Sequence, residues 1–114
     1  MSNPNTLARG NIMAEWALNV TLSPTSVPNA TTAEQTFTVN GLQLGDNVSV
    51  NKPTTQAGLF IANSRVSAAN TLAIAFGNVT SATITPTASE SYSIVVTRVE
   101  NLTMSNTSPL SQVP

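Results

Sequence analysis

From Trp16 to Val99 the chain keeps one rhythm: apolar and polar residues alternate over short runs, and turn-forming residues separate each run from the next. A period of two is what a strand with one buried face requires, because successive side chains point to opposite sides of a sheet. Trp16, Leu18, Val20 and Leu22 share one side. Phe37 with Val39, Val48 with Val50, Leu59 with Ile61, Leu72 with Ile74 and Phe76, and Tyr92 with Ile94 and Val96 repeat the pattern, and Ile84 marks a shorter run, ATIT. The segments between them, SPTSVPN, NGLQLGDN, NKPTTQAG, SAAN, GNVTS and TPTASES, consist of residues that set φ or bond back to the backbone. Pro24, Pro28, Pro53 and Pro86 all fall in these segments, where a missing N–H breaks no ladder. No 3.6-residue stripe interrupts the series. About seven short strands with turns between them predict an all-β chain, an antiparallel β-sandwich or a small barrel.

The 114 residues suffice for one domain with one modest core. Residues 16–99 form the expected sandwich. Residues 1–15 and 100–114 lack sustained alternation yet carry Leu7, Ile12, Met13, Leu102, Met104, Leu110 and Val113, so they read as extended N- and C-terminal arms whose apolar side chains need a surface to dock on.

Composition narrows the function. Charged residues make up 8% of the chain, against a usual figure of about 25%, and Ser, Thr and Asn fill the difference. Disorder combines weak hydrophobicity with high net charge; a net charge of −1 with 40% hydrophobic residues predicts a folded domain with a neutral surface of hydroxyls and amides. Free monomers generally carry charges of both signs outside, whereas a component embedded in an assembly needs fewer. Arg9, Lys52, Arg65 and Arg98 are scattered, and without a basic patch no nucleic-acid partner is expected. The start, MSNPNTLARGNIM, lacks the basic and apolar regions of a secretory leader, and no apolar run is long enough to span a membrane. Synthesis in a cytoplasm and no membrane partner are the expectations.

The chain has neither Cys nor His. Thiolate chemistry, disulfides and histidine ligands are therefore outside its reach. The stretch VNGLQLGDNVSV places Gly41, Gly45 and Asp46 between two valine-bearing runs, but a phosphate loop needs a Lys and a following helix where this chain has Asp46 and a strand. One Asp is also too few oxygens for calcium. A turn explains all three residues: the glycines permit positive φ and the carboxylate bonds nearby backbone. Glu15, Glu34, Asp46, Glu90 and Glu100 form no local acid–base pair and read as solvated surface charges, and Lys52, the only lysine, sits in an expected loop. No catalytic residue, cofactor or metal site is expected. Six Asn-x-Ser/Thr triplets begin at Asn19, Asn29, Asn47, Asn78, Asn101 and Asn106, about twice the number that such a composition yields by chance. Trp16 reads as a core residue of the first strand.

Residues 37–98 nevertheless resemble a pattern found in small β-rich virion proteins of tailed bacteriophages. The matching pieces are the Gly41-Leu42-x-x-Gly45-Asp46 turn before Val48-x-Val50, then Gly58-Leu59, the stretch RVSAANTLAIAFGN, the tripeptide ITP and a closing strand with Tyr92 and several valines. The resemblance implies a structural virion protein, and the small size favours a capsid decoration (cement) protein on the capsid surface. Such a protein would bind the major capsid protein and other copies of itself, as a homodimer or homotrimer through its strand edges. Leu7, Arg9, Ile12, Met13, Leu110 and Val113 are the expected contact residues in the arms. A host-recognition module of a tail or head fibre is the alternative; it would need aromatic residues in the loops to stack on glycans, and those loops contain none.

Overall fold

A computed structural model describes residues 12–100. Six strands form two antiparallel three-stranded sheets that make a small β-sandwich. In chain order they are β1 (Ile12–Leu22), β2 (Thr31–Thr38), β3 (Asn47–Asn51), β4 (Leu59–Ala68), β5 (Thr71–Asn78) and β6 (Glu90–Val99). One sheet runs β1-β6-β3 and the other β2-β5-β4. The central strands β6 and β5 supply the fully buried side chains Tyr92, Ile94 and Val96 on one side and Leu72, Ile74 and Phe76 on the other. Trp16, Leu18, Val20, Phe37, Val48, Val50, Leu59 and Ile61, from the edge strands, pack half-buried around them.

The expected seventh strand is a single bridge. Val27 and Ile84 exchange two backbone hydrogen bonds, 2.8 and 3.1 Å long, and the ladder goes no further. ATIT is too short to continue it, because Pro86 ends the run of N–H donors. The first strand, in contrast, starts ahead of Trp16. Ile12 pairs with Val99, so Ile12 and Met13 lie in β1 and not in an arm. A register irregularity between Ile12 and Ala14 leaves Met13 more than half exposed, which masks the alternation there.

β2 and β4 depart from simple alternation for identifiable reasons. The inward face of β2 carries Gln35 between Ala33 and Phe37. Its amide is satisfied by Thr25, whose backbone N–H donates to Gln35 Oε1 at 2.8 Å while Gln35 Nε2 donates to the Thr25 carbonyl at 2.9 Å. In β4 an irregularity between Ile61 and Asn63 shifts the inward positions from Leu59 and Ile61 to Ser64 and Val66. Val66 thereby joins the core. At that seam β3 lies against β4, and Ser64 Oγ donates to the Val48 carbonyl across the two sheets at 3.3 Å.

β5 is covered on its outward face as well, because that face is made of Ala73, Ala75 and Gly77 and its neighbours reach over it. Glu34, opposite Ala75, and Arg65, opposite Ala73, meet across the strand through two hydrogen bonds of 2.8 and 2.9 Å. Phe60, opposite Gly77, lies over that glycine.

Candidate functional site: the turn at residues 39–46 and the sheet faces

The stretch around Gly41 and Asp46 closes the end of the sandwich from which both chain ends depart, since Ile12 and Val99 are partners there. Val39 and Leu42 turn into the core, while Leu44 stays largely exposed. Gly41 and Gly45 adopt φ of 99° and 94°, a region that side chains rarely occupy. The tip of the β4–β5 hairpin docks on this turn through Asn70. The Asn70 N–H donates to the Leu42 carbonyl at 2.8 Å, its carbonyl accepts from Val39 N at 2.9 Å, and its Oδ1 accepts from Gly41 N at 2.8 Å.

Asp46 is the centre of the arrangement. Its Oδ2 accepts the Gln43 N–H at 2.9 Å, and its own N–H donates to the Gln43 carbonyl at 3.1 Å. Arg98, at the end of β6, donates Nε to Oδ1 at 2.8 Å and Nη2 to Oδ2 at 2.7 Å, with a further bond from Nη2 to the Gly41 carbonyl. The guanidinium lies 5.0 Å from the centre of the Trp16 ring. Asp46 is therefore buried and bonded, not solvated: the Arg98 guanidinium, helped by the Gln43 N–H, holds its carboxyl below the usual range against the opposing effect of burial. Trp16 is half-buried against the core and under Arg98, as a first-strand core residue.

A second ion pair sits at the opposite end of the same sheet. Lys52 Nζ lies 2.9 Å from Glu90 Oε1 and also bonds the Thr54 carbonyl and hydroxyl, while Thr54 donates its hydroxyl to Glu90 Oε2. Both side chains are about nine-tenths covered, so the expectation of solvated charge fails here too. The chain bends at Pro53 and Thr54, which sets the Thr54 carbonyl and hydroxyl within reach of Lys52 Nζ. The hydrogen bond from Thr54, then that from Lys52, lowers the Glu90 carboxyl below its ordinary value. Burial pushes the neighbouring Tyr92 phenol up to about 12, with the Glu90 charge adding to the effect.

Each basic residue described, Lys52, Arg65 and Arg98, thus faces a carboxylate. Among the described residues no three His, Cys, Asp or Glu side chains gather into a metal-binding group, and no helix is long and apolar enough to cross a membrane. The charges are spent in pairs, and the outward face of β1-β6-β3 is left to short uncharged side chains. Ala17, Asn19 and Thr21 stand beside Ser91, Ser93 and Val95, and these beside Ser49 and Asn51. Glu15, at the border of this face, accepts the Thr97 hydroxyl at 2.8 Å.

Of the expected contact residues, Ile12 and Met13 are exposed on β1, at 39% and 56%. Leu7, Arg9, Leu110 and Val113 lie outside the described residues. The Asn-x-Ser/Thr positions also divide. Asn78 is buried, and its amide bonds the Val27 and Ala82 carbonyls and accepts from Thr80, whereas Asn19, Asn29 and Asn47 are exposed. Sequence reasoning missed Arg98 and Asn70, whose partners are far away along the chain. It also passed over Phe60, an exposed aromatic that lies in a strand.

No protein-family model, curated protein or solved structure matches the chain.

Proposed function

We propose that the chain is a structural protein of a tailed-bacteriophage virion, a capsid decoration protein that binds the outer capsid surface and stabilises the shell by bridging major capsid protein subunits. One observation carries the reading: the outward face of β1-β6-β3 is sheet-like and built from Ser, Thr, Asn and Ala around the half-exposed Val95, with Glu15 only at its border. Such side chains lose little rotamer freedom when covered, unlike Lys, Arg or Glu, and they carry no charge to desolvate. The face can be buried against a polar protein surface at low cost. The resemblance of residues 37–98 to phage virion proteins agrees with this role.

Attachment combines two contributions. The sheet face supplies area, and the chain segments that leave beside Ile12 and Val99 supply apolar anchors, including Leu7 and Leu110. β1 and β2 are edge strands with no Lys or Pro to block pairing, so copies associate edge to edge. The role we propose is non-catalytic, in keeping with the engagement of Asp46, Glu34 and Glu90 by Arg98, Arg65, Lys52 and Thr54.

The test mixes purified chain with undecorated phage capsids and follows both co-sedimentation and the capsid's resistance to heat or chelator. Binding with added resistance is expected, and deletion of residues 1–11, which leaves β1 whole, is expected to weaken attachment without changing the β-rich circular dichroism. Binding to host cells with no attachment to capsids would refute the reading in favour of a fibre module.

A further inference from the structure

At the end of the sandwich remote from Ile12 and Val99, an open groove of about 490 Å³ is lined by Ala30, Thr31, Thr32, Phe60, Asn78 and Val79. Thr32, Gly77 and Phe60 stand abreast across β2, β5 and β4. A Cβ on Gly77 would meet the three distal ring carbons of Phe60 at similar distances, which means that the ring lies face down on the glycine. Its other face is turned outward, and the residue is 45% exposed, next to Val79 at 72%. Only glycine at 77 allows this posture.

We propose that this groove binds an uncharged oligosaccharide, with one sugar ring stacked on the outward face of Phe60. An aromatic ring fixed flat from below is preorganised for the apolar C–H face of a pyranose; beside it the exposed Thr32 hydroxyl supplies a donor and an acceptor, and Thr31 Oγ1, which donates to the Thr32 carbonyl at 3.4 Å, supplies an acceptor for sugar hydroxyls. The charge balance selects the neutral class. No charged side chain lines the groove, and Lys52, Arg65 and Arg98 are each tied to a carboxylate, so nothing there would hold a phosphate, a sulfate or a sialic acid. A nucleotide is excluded on the same ground. A second copy of the chain is a poor occupant, because the apolar portion of the patch amounts to Phe60, Val79 and Ala30, far below the roughly 800 Å² per partner of a stable interface. The groove adds a ligand site to the adhesive role and stands independently of it.

The experiment is an NMR titration of the full chain, isotopically labelled, with maltotetraose, cellotetraose and tetra-N-acetylchitotetraose, and with a sulfated heparin tetrasaccharide as the charged comparator. Saturable shifts at Thr31, Thr32, Phe60, Gly77 and Val79 are expected with at least one neutral probe, at a Kd near about 1 mM, and none with heparin. Phe60→Ala weakens binding at least about tenfold, Phe60→Trp retains it, and Gly77→Ala weakens it with Phe60 still present, because the new methyl lifts the ring. The exposed ring makes Phe60→Ala safe for the fold. Absence of saturable shifts with all three neutral probes overturns the proposal, as do shifts that survive Phe60→Ala and Gly77→Ala. Shifts at these amides that depend on protein concentration without sugar would show a second copy in the groove and would overturn it equally.

Discussion

Arg98 grips Asp46 with two parallel hydrogen bonds, Nε to Oδ1 and Nη2 to Oδ2, and so ties the last residues of β6 to a turn 52 positions earlier in the chain. The pair is bidentate, its carboxylate is buried, and its cation is seated on Trp16. Asp46→Asn keeps the shape and loses the charge, so an expected loss of about 2 kcal/mol should appear in urea denaturation. A change within error would show that the turn holds without the pair.

Asn70 separates two effects at one position. Its φ is 59°, and its side chain bonds Gly41 N. Asn70→Gly keeps the backbone conformation and loses the bond; Asn70→Ala loses the bond and adds left-handed strain of about 1 kcal/mol or more. The alanine variant should therefore be the less stable of the two by roughly that amount in denaturation midpoints. Equal stability would assign the whole effect to the side chain.

Acid should weaken the fold through Asp46, Glu34 and Glu90, whose carboxyls are all lowered in the folded state. The unfolded chain then binds more protons at low pH, so the contribution is complete above about pH 5 and is lost as pH falls through the folded values. Stability measured against pH should be flat near neutrality and decline below about pH 4. In the double variant Asp46→Asn, Glu90→Gln the decline should be shallower; an unchanged slope would mean that other groups govern it.

Tyr92 should give the opposite sign at the alkaline end. It is the only tyrosine, fully buried, with its phenol raised to about 12 from 10.0. Its contribution is present below pH 10 and disappears as pH rises through the folded value, so alkaline unfolding should begin above pH 10. Phenolate absorbance should rise together with loss of the near-ultraviolet dichroism. A titration at pH 10 with the fold intact would contradict the burial of the ring.

The core should be intolerant at its centre. Phe76→Ala removes a fully buried ring from β5 and should cost about 3–5 kcal/mol in denaturation experiments.

The strands were legible where alternation was unbroken. Leu72, Ile74 and Phe76, and Tyr92, Ile94 and Val96, read as inward from their spacing and are inward, because central strands are flanked on both sides and their period cannot drift. Where a local device intervened, spacing failed. Met13 sits at an irregularity, Val66 lies beyond one, and Gln35 replaces an apolar residue by bonding the Thr25 backbone. Leu42 lies in a segment read as a turn, yet it caps the core from there.

By itself the sequence determined that the chain would pleat, where it would turn, and that it had no Cys or His for thiol or imidazole chemistry. Those properties depend on residue type and on neighbours a few positions away. Only the tertiary structure decided which charges are neutralised and which ring is displayed. Arg98 with Asp46, Lys52 with Glu90, and Phe60 with Gly77 are brought together by sheet register, and register is set by packing over the whole domain.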